Sequence, residues 1–445
     1  MAEDEGDFRG TAVPSGRLGR MARFGGMTTS IAGSVLVDGA RRVAKGERPS
    51  MEDLLLTPKN AAKVADQLSR LRGAAMKIGQ LLSMADEQAI PKEFTEVFAR
   101  LRSAGDMMPA KQLRQVLDKA WGEGWLRRFG RFDVRPMAAA SIGQVHRAQT
   151  KDRQELAIKI QYPGVRESID SDIDNVMSIL NVSGLVPKGM DVKPLLEEAK
   201  VQLHQEADYE REAKYLKRFG ELLAGSDDFV LPQVCDEFST KDTLAMSLVR
   251  GQPIESLIDA PQEERDRVVS LLMQLVVREV FEFGLMQTDP NFGNYFYQTD
   301  SGRIVLLDFG ATREVPAHIT DGYRKLIQAG FDDDWEAVRE AATVMGLVGD
   351  NAGSRHEETL AELFTLSMEP LVHEGPYDFT ESDLAIRMRE LGMTLRDDDF
   401  AHVPSPVMVF LHRKFGGTYL LATRLRARVD MRSMIEPHLT PSGRG

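Results

Sequence analysis

Between positions 287 and 310 the chain reads QTDPNFGNYFYQTDSGRIVLLDFG, that is, Gln287-Thr288-Asp289-Pro290-Asn291-Phe292-Gly293-Asn294 followed, after a short hairpin, by Leu306-Leu307-Asp308-Phe309-Gly310. The turn residues Thr299-Asp300-Ser301-Gly302 divide two apolar runs, which predicts strands on either side. Asp289 and Asn294 thus lie in a loop that enters the hairpin, and Asp308 lies where the second strand ends. A carboxylate and an amide oxygen held by neighbouring loops suit a hard cation such as Mg²⁺.

Three upstream segments extend this reading. A helix predicted over Val276–Phe283 leads into the loop. Ala157-Ile158-Lys159 lies on a strand, ELAIKIQ, where a lone lysine could simply snorkel to water. Pro136-Met137-Ala138-Ala139-Ala140-Ser141-Ile142-Gly143 forms a small-residue turn before it. In this order the segments make up the protein-kinase-like set for Mg²⁺–nucleotide binding and phosphoryl transfer, a reaction that needs charge neutralisation more than covalent help. The cofactors expected are ATP and Mg²⁺. Lys159 contacts the α/β-phosphates, Asn294 and Asp308 hold the metal, and Asp289 orients or deprotonates the acceptor. Ala138, Ala139, Ala140 and Ser141 form the nucleotide loop. Backbone groups of Met246, Ser247, Leu248 and Val249 meet the adenine.

Departures from an ordinary kinase shape the expected reaction. Gln287-Thr288-Asp289 stands in place of His-Arg-Asp, so the arginine next to the aspartate is missing. Only Ala311–Pro316 separate Gly310 from the next helix, too little for a peptide-docking activation loop. The nucleotide loop is rich in alanine, which lacks glycine's access to positive φ. A small acceptor or water is therefore expected, and not a polypeptide.

The rest of the chain predicts an α+β, two-lobed, kinase-like fold. Its parts are a basic, Gly-rich arm (1–50), a helical extension (51–130), an N-lobe with inserted helices (131–250) and a helical C-lobe (251–445). In the extension, Val64, Leu68, Leu71, Ala75, Ile78 and Leu82 form an apolar stripe, and Lys77 and Gln80 share a face beside it. Further helices are expected at Lys92–Leu101, Lys111–Leu126 and Val165–Leu180. On a helix predicted to run continuously over Lys193–Leu223, Leu195, Ala199, Leu203 and Ala213 share a face centred on Glu206. A carboxylate there wants a cation. Lys159 and Lys77 are the candidates; Glu212, about 120° around the helix, is the less favoured partner.

Charge and cysteine content exclude other classes. With 56 Lys+Arg against 68 Asp+Glu the net charge is −12, which argues against nucleic acid as a partner. The single Cys235 excludes a disulfide framework. The acidic terminus MAEDEGD is unlike a secretory or transit leader, and no window reaches the ~18–20 apolar residues of a membrane span. A cytoplasmic protein is expected. Arg9–Arg48, however, carries eight basic residues against two acidic ones, a net +6 that suits peripheral contact with the anionic inner face of a membrane.

These motifs closely resemble the UbiB/ADCK-type (AarF-like) atypical kinase family, associated with ubiquinone (coenzyme Q) biosynthesis, over roughly Ala61 to Asp430. Lys77-Ile78-Gly79-Gln80 matches its K-x-G-Q signature and Ala138–Ser141 its alanine loop. Glu206-Ala207-Asp208 matches E-x-D, and Gln287–Asn294 with Asp308-Phe309-Gly310 matches the catalytic and metal loops. Leu411-His412-Arg413-Lys414-Phe415-Gly416-Gly417 looks like the family's C-terminal pattern and is expected to be structural, because its neighbours are apolar and helical. The resemblance implies an ATP-binding, ATP-hydrolysing protein supporting a membrane-associated lipid pathway, as an ATPase or small-molecule kinase. It implies that Lys77, Gln80, Glu206 and Asp208 regulate or occlude the nucleotide site. A lipid or quinone precursor is the implied partner besides ATP and ADP, and a homodimer is left open. The alternative is a nucleotide-gated lipid-binding or scaffold protein with incidental turnover. Unlike many bacterial members, the chain ends without two hydrophobic spans.

Overall fold

The computed structural model describes residues 68, 71, 73–75, 77–78, 107–183, 193–347, 354–391 apart from 385 and 389, and 406–440. The basic arm, Gln80 and the helix expected at Lys92–Leu101 lie outside the described residues. Those described divide into two compact units. One contains the residues up to Lys214 together with Gln233–Leu248; the other contains Tyr215–Pro232 together with those from Val249 onward.

In the first unit, helix α1 (Ala110–Trp121) precedes strands β1 (Phe129–Phe132), β2 (Ala138–Ala139), β3 (Gly143–Thr150) and β4 (Glu155–Gln161). Helices α2 (Val165–Ser183), α3 (Lys193–Glu206) and α4 (Tyr209–Leu222) follow, the last shared with the second unit. After β5 (Phe229–Val230) of the second unit comes β6 (Thr243–Ser247). The sheet order is β1-β3-β4-β6 with β2 paired to β3, all antiparallel. Alternation along β4 explains its role. Leu156, Ile158 and Ile160 are fully buried in a core with Leu113, Leu117, Trp125, Phe129 and Phe238. Each contributes about 1.5–3 kcal/mol. Lys159 points to the opposite face by the period of two. Gly143 starts β3 because a Cβ there would lie 2.3 Å from the Ile160 carbonyl oxygen.

One helix expected over Lys193–Leu223 is two. The chain breaks at Ala207-Asp208, where Asp208 Oδ1 accepts from the Arg211 backbone N–H at 3.0 Å and caps α4. The capping carboxylate outcompetes continuation of the helix, and the break resets the angular phase of every residue beyond it.

The second unit continues with β7 (Gln252–Pro253) and α5 (Gln262–Arg278), which carries acidic residues in its first turn and Arg278 in its last, matching the helix dipole. A π-turn (Glu279–Phe283) ends at Gly284 in the left-handed region. Then come β8 (Leu285–Gln287), β9 (Tyr295–Gln298), β10 (Arg303–Leu306) and β11 (Thr312–Glu314). Strands β9 and β10 form the hairpin expected from sequence; β5 joins β10 in parallel, β7 pairs with β9 and β11 pairs with β8. Helices α6 (Ala317–Phe331), α7 (Trp335–Val344) and α8 (Ser354–Val372) follow. After β12 (Tyr377–Asp378) come α9 (Pro406–Arg424), β13 (Arg428–Val429) and α10 (Met431–Ile435). Their shared core includes Val280, Met286, Ile319, Tyr323, Met408 and Leu411. No helix among the described residues is long and apolar enough to cross a membrane.

Candidate phosphoryl-transfer site

Each unit assembles part of the expected constellation. In the first, Lys159 Nζ lies 2.5 Å from Glu212 Oε1, with the carboxylate side chain only 4% exposed. The sequence left open whether Glu206 or Glu212 pairs with Lys159 and ranked Glu212 lower; that ranking is corrected. Glu206 pairs with Lys77, the other of its two expected candidates, and its second oxygen accepts from Ser141 Oγ at 2.7 Å. The physical reason is the break at Ala207-Asp208. Glu206 is the last residue of α3, whereas Glu212 lies on α4, turned to face β4. Asp208 sits between them as the cap of α4, and the Ala207 carbonyl accepts from Gln161 Nε2 at 2.6 Å, tying the turn to the end of β4.

The alanine loop is a tight hairpin. Ala138 and Ala139 are exposed and pair with Val145 and Gln144, and Ala140 N–H donates to the Gly143 carbonyl at 2.9 Å. A Cβ on Gly73 would lie 3.2 Å from both Ile142 Cγ2 and the Ser141 carbonyl oxygen, so the helical segment carrying Lys77 packs directly on this turn. Lys77 is itself buried, not at a solvated edge. Along Met246–Leu248, two backbone donors are already engaged. Ser247 N–H donates to the Gln233 carbonyl and Leu248 N–H to the Glu155 carbonyl. An adenine could use these two groups only by displacing those bonds.

In the second unit, the loops bearing Asp289, Asn294 and Asp308 are bound together. Thr288 Oγ1 donates to the Ala311 carbonyl at 2.6 Å. Leu307 N–H, next to Asp308, donates to the Asn294 carbonyl at 3.1 Å. Asn291 accepts from Gly293 N–H and shapes the turn. Asn294 Nδ2 donates to Asp289 Oδ2 at 2.9 Å, which turns the amide oxygen of Asn294 away from Asp289. The Asn294 amide oxygen and the Asp308 carboxylate are hard-oxygen donors of the kind Mg²⁺ takes, carried on loops joined by the Leu307–Asn294 backbone bond. Phe309 is buried, its ring 4.8 Å from that of Phe219.

The sequence reading missed the contribution of α9. Arg413 Nη2 lies 3.2 Å from Asp289 Oδ1. Buried Lys414 donates to Gln287 Oε1 at 3.0 Å and to the Tyr295 hydroxyl at 2.6 Å. Burial works against the Lys414 charge, but Tyr295, Glu279 and Asp289 hold its pKa above the ordinary lysine value. Glu279, fully buried in the π-turn, is pushed up to about 7 by burial, with Lys414 opposing the shift. One of its oxygens has no hydrogen-bond partner among the described residues. The neighbouring His412 is pushed down to about 4 by burial, with its Nε2 2.7 Å from the Tyr323 hydroxyl. The segment is helical with apolar neighbours, as expected, and its two cations add polar contacts to the loop that bears Asp289.

Residues 100–342, more than half the chain, match the ABC1 atypical kinase-like domain. The chain belongs to this UbiB/ADCK-type family of atypical kinases. Atypical kinase coq-8, mitochondrial, of Caenorhabditis elegans is 38% identical over 429 residues, covering 94% of this chain and 57% of that protein. Atypical kinase COQ8, mitochondrial, of Saccharomyces cerevisiae is 35% identical, covering 96% of this chain and 85% of that one. Among solved structures, Rv3197 of Mycobacterium tuberculosis, determined with erythromycin, aligns with a TM-score of 0.60 at 27% identity, covering 86% of this chain and 96% of that one. The ABC1 family membership and the kinase-like α+β fold agree with the motif reading.

Proposed function

We propose that the chain binds Mg²⁺–ATP and transfers its terminal phosphoryl group to water or a small acceptor in the biosynthesis of ubiquinone or a related lipid. The observation that carries this reading is the Asn294–Asp289 hydrogen bond in a loop tied to both sides of Asp308. Asn294 and Asp308 would hold Mg²⁺, which when bound neutralises charge on the transferring phosphates. Lys159, held by Glu212, would neutralise the α/β-phosphates. Asp289, with both carboxylate oxygens engaged, orients the acceptor. The short connection after Gly310, which pairs as β11 and enters α6 at once, supports a small acceptor over a peptide. The basic residues between Arg9 and Arg48 would bring the protein to an anionic membrane, where such lipids reside.

A second reading, in which nucleotide binding acts as a switch and turnover is incidental, draws on one contact set. Lys77 and Ser141 converge on Glu206, so the extension and the nucleotide loop share a carboxylate.

Asp308→Asn tests the site. It should abolish Mg²⁺-dependent ATP binding by calorimetry while the melting temperature stays within a few degrees. Unchanged Mg²⁺–ATP affinity would overturn the metal assignment. Multiple-turnover phosphate release, with and without anionic vesicles or a phenolic quinone precursor, separates the enzyme from the switch.

A further inference from the structure

The loop Gln287–Tyr295 lacks the arginine that ordinarily precedes a kinase aspartate, yet Asp289 is not without a cation. Arg413 reaches it from α9, 124 positions along the chain, with its side chain only 14% exposed. Asp289 is held at both oxygens, Oδ1 by Arg413 at 3.2 Å and Oδ2 by Asn294 at 2.9 Å. The next residue, Lys414, grips the loop on both flanks, at Gln287 before Asp289 and at Tyr295 after Asn294. One turn further along α9, a Cβ on Gly417 would lie 2.2 Å from Pro290 Cβ, so the helix backbone lies directly against the loop and only glycine fits.

Taken separately, these contacts could be ordinary packing. Two consecutive cations in a helix with apolar neighbours cannot be cheaply buried unless each finds a partner. Both partners sets belong to one seven-residue segment, Asp289 to Tyr295, and its entry residue Gln287. A guanidinium N–H on one oxygen and an amide N–H on the other fix the plane of the Asp289 carboxylate more tightly than a water shell would. A group that must be within a few tenths of an ångström of its productive position gains most from such a constraint.

We propose that Arg413, backed by Lys414, is a positioning residue for Asp289, supplied by α9 in place of the missing loop arginine. This rests on the proposed function for the role of Asp289, but the clamp itself can be read without turnover. The first measurement is amide hydrogen exchange of the full chain across residues 288–295. Arg413→Gln should raise exchange in this loop at least tenfold while the melting temperature stays within a few degrees; Arg413→Lys should restore part of the protection. In an Asp289→Asn background, Arg413→Gln should add little further, because the partner charge is already gone. The second measurement is steady-state ATP turnover. Arg413→Gln should lower kcat at least tenfold and leave KM within about threefold, since the change acts on geometry and not on nucleotide affinity. Unchanged loop exchange in Arg413→Gln, or equal and additive effects in the two backgrounds, would overturn the clamp. Loop exchange that responds as expected in a protein showing no ATP turnover would sustain the clamp and overturn the proposed reaction. Should Arg413→Gln fail to fold, Arg413→Lys carries the test: it keeps the charge and loses the guanidinium N–H aimed at Asp289 Oδ1, so loop exchange should rise by a smaller factor, and exchange equal to wild type would overturn the clamp.

Discussion

At Glu279 a single acid ties stability to pH. Its pKa is pushed up from 4.5 to about 7, chiefly by burial, and Lys414 and the Gln287 backbone N–H only partly offset this. The folded state therefore binds the proton more tightly than the unfolded one. Stability from this group is fully present below about pH 4.5 and is lost as pH rises through about 7, where ionising the buried carboxyl works against the fold. The shift corresponds to about 3 kcal/mol. His412 works in the other direction: pushed down to about 4, it favours the fold above its unfolded pKa and loses that stability as pH falls. Comparing wild type with Glu279→Gln cancels the histidine and isolates the acid. The variant should gain on wild type between pH 4.5 and 7.5 by up to about 3 kcal/mol in urea unfolding. Parallel stability–pH curves for the two proteins would show that Glu279 keeps an ordinary pKa.

The β3–β4 pair sets the position of Lys159, and its tightest point is Gly143. There an added Cβ would meet backbone, 2.3 Å from the Ile160 oxygen, which no rotamer change relieves. Gly143→Ala should cost about 3 kcal/mol or more and weaken nucleotide binding with it. Gly220, inside α4 with nothing within 4 Å of its Cβ position, is the control: Gly220→Ala should stabilise by about 0.5–1 kcal/mol. Thermal unfolding of both variants checks the contrast; equal effects would mean the strand pair tolerates the extra atom. The strands themselves were legible in the sequence because ELAIKIQ alternates with a period of two and the 299–302 turn is marked by Asp and Gly. The break at Asp208 was not, because helical periodicity continues through it, and a cap is identified only by where its carboxylate points. That one miss placed Glu212 below Glu206 as a partner for Lys159. Arg413 and Lys414 left a fainter signal, two adjacent cations in an apolar helix, but their partners lie more than a hundred residues away and no local pattern names them.

Over the whole molecule, charge is distributed against the average. A chain of net −12 carries a +6 stretch at Arg9–Arg48, in residues that lie outside those described. An acidic protein should be repelled by an anionic bilayer, so any attraction must come through such a segment. At about 1 kcal/mol per basic residue close to the surface, a net +6 gives at most about 6 kcal/mol, a dissociation constant in the tens of micromolar of accessible lipid. That is weak and reversible contact, and it is sensitive to salt, since the Debye length falls from about 30 Å at 0.01 M to about 10 Å at 0.1 M. The uncharged run Phe24–Val37 inside the stretch adds apolar surface that salt does not screen. Two contributions should therefore separate in one experiment. Full-length protein should co-sediment with phosphatidylserine-containing vesicles at low salt and be partly released at 0.1 M. Deleting residues 1–50 should abolish sedimentation at both ionic strengths and leave Mg²⁺–ATP affinity within about twofold, because none of the nucleotide-site residues lies in the arm. Neutral vesicles distinguish the contributions: binding that persists there belongs to the apolar run. A truncated chain that still sediments with anionic vesicles would move the membrane contact to the folded units and remove the arm from the proposed function.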